Sequence, residues 1–77
     1  SLEGILDLEK EASRLEKELV RIDKELTGIS KKLNNEDFLA KAPDDVVEKV
    51  REKHRGLMEK RQKIEVNMEK IRALDAP

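Results

Sequence analysis

The chain has 77 residues, 45% of them charged and 36% hydrophobic, with a single aromatic side chain and a net charge of -1. A chain this short makes at most one small domain, which buries only about 60% of its unfolded surface, and a catalytic cleft needs more wall than that. Zero cysteines exclude a disulfide scaffold and thiolate metal sites and fit a reducing compartment, no apolar run approaches the roughly 18 residues of a membrane span, and no charged start followed by an apolar stretch suggests a secretory signal.

The first predicted element is a helix over about residues 4–33. Alanine, leucine, glutamate, lysine and arginine dominate the composition, and the prolines are confined to Pro43 and Pro77. Ile5, Leu8, Ala12, Leu15, Leu19, Ile22, Leu26, Ile29 and Leu33 recur at spacings that alternate between three and four, which is a coiled-coil heptad. Ile5, Ala12, Leu19, Leu26 and Leu33 occupy the a positions, and Leu8, Leu15, Ile22 and Ile29 the d positions. No polar residue interrupts this seam.

The pattern stops at Asn34-Asn35, and Pro43 cannot continue a helix from upstream. Residues 34–42 are therefore expected to form a loop, with Asn35 capping one helical turn inside it. Phe38 is expected to plug the open end of the seam with Leu33, Leu39 and Val46 or Val47, an easier role for a turn aromatic than base stacking.

A second helix is predicted over about 43–74, with Pro43 in its first turn and Asp44 and Asp45 at the positive end of the dipole. Its seam reads Val47, Val50, His54, Leu57, Arg61, Ile64, Met68 and Ile71. Polar residues stand at two a positions, so this half is the weaker one. His54 is the single histidine and has no neighbour that completes a site, so it reads as a tolerated seam residue and not as a ligand or base.

Two helices that each carry one apolar stripe, joined by about nine residues, fold back on each other. The expected fold class is all-α, a two-helix antiparallel coiled-coil hairpin about 44 Å long. In that arrangement g positions face g positions. Glu18 with Lys60 and Glu25 with Lys53 share one residue-number sum, so they select register, although such exposed pairs contribute only about 0.2–1 kcal/mol each.

No phosphate-binding glycine loop, histidine pair or nucleophile beside a base occurs, so no catalytic or metal-ligating residue is assigned. The informative charges are those that the seam leaves unused. On the second helix the c and g positions read Lys49, Lys53, Gly56, Lys60, Lys63, Asn67 and Lys70, a stripe without an acid. From Lys10 onward the c and f positions of the first helix, Lys10, Arg14, Lys17, Arg21, Lys24, Gly28 and Lys31, are acid-free as well. A near-neutral chain can thus show a phosphate-binding face, with Gly28 and Gly56 as points where another backbone can approach closely. The alternative is a solvated Glu/Lys-rich surface on a structural or protein-interaction coiled coil. The off-seam residues Leu6, Val20, Met58 and Val66 lead to an expectation of weak homodimerisation.

The run Lys32-Leu33-Asn34-Asn35-Glu36-Asp37-Phe38-Leu39-Ala40-Lys41-Ala42-Pro43-Asp44-Asp45-Val46-Val47-Glu48-Lys49 resembles the turn of the C-terminal arm of valyl-tRNA synthetases, whose pattern is KLxNxxFxxKAPxxVVExE. Leu6-Asp7-Leu8-Glu9-Lys10-Glu11 and Arg14-Leu15-Glu16-Lys17-Glu18-Leu19 also look like the arm's first helix, so the resemblance covers about residues 4–74. It implies an antiparallel coiled coil that leans on the outer corner of tRNA, where the D and T loops meet. Lys49, Lys53, Gly56, Lys60 and Lys63 are the expected nucleic-acid-binding residues, aided by the loop lysines. The resemblance also implies a cytoplasmic, ATP-dependent parent enzyme whose catalytic domain lies elsewhere, leaving this stretch without a cofactor of its own. Opening at Ser1, without methionine, leads to the same expectation of a piece of a longer protein. Val50, His54, Gly56 and Arg61 depart from the pattern's commoner Glu, Leu, Ala and Leu.

Overall fold

The computed structural model describes residues 2–75; Ser1, on which the expectation of a longer parent partly rests, lies outside them. Three helices follow one another: α1 (Leu2–Leu33), α2 (Glu36–Lys41) and α3 (Asp44–Asp75). α1 and α3 have 32 residues each and pack antiparallel in a rod of 58 × 16 × 15 Å. Among the described residues all regular structure is helical.

The heptad reading predicts the buried face. Leu15, Ile22 and Leu26 from α1 form a core with Ile64 and Met68 from α3, and Leu19, Leu57 and Ile71 pack against its edge. A two-helix layer can bury only one stripe per helix, which is why few side chains are fully enclosed. Ile5 departs from the seam expectation, being 45% exposed. In the register set by Glu18 and Lys60 it lies beside Ala73 and the exposed Leu74, past Ile71, the last apolar seam residue of α3.

Two short corners reverse the chain between α1 and α3. Asn35 is extended (φ -87°, ψ 108°), and its side-chain oxygen accepts from the backbone amides of Asp37 at 3.0 Å and Phe38 at 3.3 Å. The expected single capped turn becomes a six-residue helix, α2. Ala42 is also extended (φ -74°, ψ 145°), as the residue before a proline must be to avoid the ring's Cδ. The Pro43 carbonyl then accepts from Val46 and Val47, so Pro43 stands just before α3 and opens it. Phe38 and Leu33 are half-buried and Val47 is buried, whereas Leu39 and Val46 remain largely exposed. Of the expected plug, Phe38, Leu33 and the Val47 alternative are in place, and Leu39 is not. No described residue has a positive φ.

Candidate nucleic-acid interface

Antiparallel packing decides where the two lysine stripes lie. Because g positions face each other, the g and c columns of both helices flank one long side of the rod, with the f column of α1 at its outer edge. Stripes that are separate in sequence become neighbours. Lys49, Lys53, Gly56, Lys60 and Lys63 are all exposed on that side, and α3 runs through Gly56 without a break. A Cβ added at Gly56, or at Gly28, would meet nothing within 4 Å. Neither glycine is required by packing within this chain.

The glutamates in the middle of this side are neutralised. Glu18 accepts from the Lys60 ammonium at 2.8 Å, with the Arg21 guanidinium at 3.4 Å, and Glu11 is held by Arg14 at 2.6 Å. The hydrogen bond from Lys60 keeps the Glu18 carboxyl below the usual glutamate range, and the one from Arg14 does the same for Glu11. The second expected pair does not form: among the described residues no ion pair joins Glu25 to Lys53, although both line one groove. A contact of this size is too weak to immobilise two flexible side chains wherever geometry is not already favourable.

Arg61, a polar intruder in the seam, is accommodated by turning outward. Its guanidinium donates to Asp23 on α1 at 2.7 Å and to Glu65 one turn along α3. The bond to Asp23 raises its pKa further above an already basic value. His54 is half-buried in the seam. Among the described residues no group of three or more His, Cys, Asp or Glu side chains is placed to hold a metal ion, and no helix is long and apolar enough to cross a membrane.

One feature escapes a helix-by-helix reading. An open groove of about 520 Å³ lies across both helices near the tip, lined by Lys24, Glu25, Gly28, Ile29, Lys31, Lys32 and Asn35 with Lys53 from α3. The Lys32 ammonium sits 5.3 Å from the centre of the Phe38 ring. A signal for it exists in the g column of α1, which reads Glu11, Glu18, Glu25 and then changes sign at Lys32.

A slender antiparallel hairpin of two long helices is a coiled-coil arm. Comparison with known proteins specifies which. The family described as the valyl tRNA synthetase tRNA binding arm matches residues 7–72. Similar curated proteins are valine–tRNA ligases: that of Halalkalibacterium halodurans is 56% identical over 71 residues, that of Anoxybacillus flavithermus 49% over 71, and that of Symbiobacterium thermophilum 48% over 73. These alignments cover 92%, 92% and 95% of this chain and 8% of each relative. No solved structure matches. The chain belongs to the family of valyl-tRNA synthetase tRNA-binding arms, a family whose role is accessory tRNA binding.

Proposed function

We propose that the chain is the accessory tRNA-binding arm of a valine–tRNA ligase and that it leans on the outer corner of tRNA, where the D and T loops meet, through the lysine-bearing side of the hairpin. The observation that supports this best is the family match over residues 7–72, which spans both long helices and the tip. The geometry fits a backbone-reading role. Lys49, Lys53, Lys60 and Lys63 line one side of a rigid rod, suited to a folded RNA recognised by shape and phosphates. Gly56 leaves space at the centre of that row for a sugar or an exposed base pair.

In this reading the aminoacylation reaction and its ATP belong to the remainder of a longer cytoplasmic enzyme, and the arm orients the tRNA for it. Weak self-association of the isolated arm is part of the same proposal and rests on the exposure of Leu6, Val20, Met58 and Val66. The test is footprinting of a valine tRNA transcript by the 77-residue chain at low salt. Protection confined to the D and T loops supports the proposal. An unchanged cleavage pattern would make the arm a spacer or a protein-interaction coiled coil.

A further inference from the structure

We infer that the groove across the two helices near the tip is the arm's principal phosphate site, occupied by a phosphodiester stretch of the tRNA backbone, and that α1 supplies most of its cations. The inference rests on the tRNA-binding reading above and goes beyond it. The α3 stripe alone does not contain this site.

Charge balance is the first argument. Lys24, Lys31, Lys32 and Lys53 face the groove with Glu25 as the single acid, so four cations minus one carboxylate leave a local charge of +3 in a chain whose net charge is -1. Concave surfaces lined by one sign of charge concentrate counter-ions, here phosphates. Availability is the second. Lys24, Lys31 and Lys53 take part in none of the ion pairs among the described residues, whereas Lys60 is engaged by Glu18 at 2.8 Å. A phosphate reaching Lys60 must displace a carboxylate, and one entering the groove displaces only water and counter-ions. The third argument is shape. Gly28 lies in the groove wall with open space where a Cβ would stand, so a sugar–phosphate chain can come down to the helix backbone. Lys32, placed over the Phe38 ring, is steadied at the groove's tip end by a cation–π contact.

The test is fluorescence anisotropy of a labelled valine tRNA transcript against potassium chloride for the 77-residue chain and its variants. Lys24→Glu with Lys31→Glu is expected to weaken binding by about tenfold or more at low salt and to flatten the logarithmic salt slope by about one unit per lysine lost. Gly28→Leu keeps a good helix former in open space, so it is expected to weaken binding while helicity by circular dichroism is unchanged. Arg51→Glu and Arg55→Glu, exposed at e and b positions on the opposite side of α3, are expected to stay within about twofold. The amides of Gly28 and Gly56 give a second readout by nuclear magnetic resonance, with Gly28 expected to shift more on addition of tRNA. If the groove variants bind like the parent while Lys49→Glu and Lys63→Glu bind poorly and Gly56 shifts instead, the groove is not the site and the tRNA-binding reading survives. If the unmodified chain fails to bind, both fall.

Discussion

Leu15, Ile22 and Leu26 of α1 and Ile64 and Met68 of α3 belong to one core cluster, and each of these side chains is less than a tenth exposed. Toward the tip Ile29, Leu33, Val50 and His54 stay half-buried, and Val47 is the fully buried residue there. The charged groove begins beside Leu26 and runs on into this thinner region. The contrast separates two tasks along one rod. Apolar packing in the middle keeps the helices in register, and the tip, with less to bury, can devote its side chains to phosphate.

The largest effect that could break this comparison is a cavity. Ile22→Ala removes the most enclosed side chain, 2% exposed, and is expected to cost about 2–5 kcal/mol, enough to unfold a hairpin of this size in large part. Ile29→Ala, on the same seam but half-buried, is expected to cost markedly less. Equal losses in thermal melts would show that middle and tip are packed alike.

A smaller effect falls on the tip itself. Asn35 accepts from two backbone amides at the start of α2, and Asn35→Ala is expected to cost about 0.5–2 kcal/mol. The loss should appear as faster amide exchange over α2 with little change around Ile22. Slower still in magnitude is the seam's polar break. His54→Leu is expected to stabilise the arm by about 1 kcal/mol, a part of the value of a fully buried leucine, in chemical denaturation. Arg61→Leu should gain less than His54→Leu, because it strips Asp23 and Glu65 of their partner. A larger gain at Arg61 would mean that its ion pairs contribute nothing.

The smallest expected effect is that of pH. The folded-state pKa values of Glu11 and Glu18 lie below the ordinary value of 4.5, so their contribution is present above that value and is lost as pH falls through the folded one. Glu18→Gln should flatten the acid limb of the stability profile slightly, since exposed pairs are weak. A steeper limb in that variant would reverse the sign of the argument.

Much of this was legible in the amino-acid order. The alternation of three and four places eight of the nine α1 seam residues away from full exposure, and the shared residue-number sum anticipates the Glu18–Lys60 pair that forms at 2.8 Å. Asn35 announces its cap because an Asn side chain mimics the missing helical carbonyl. Periodicity tells on which side of a helix a residue stands, and stops there. It could not foretell that Glu25 and Lys53 remain apart or that Arg61 reaches Asp23 across the seam, since those outcomes depend on side-chain reach. The groove was hidden for a related reason: Lys24, Lys31 and Lys32 join Lys53 only after the chain has folded back on itself.

Amide hydrogen exchange followed residue by residue, with and without a valine tRNA transcript, tests the division of tasks most directly. In the free arm, exchange is expected to be slowest around residues 15–26 and 57–68 and fast from 28 to 54. Added tRNA is expected to slow exchange in the tip region, around Gly28, Lys31 and Lys53, and to leave the middle unchanged. Protection that grows in the middle while the tip is unaffected would contradict the account.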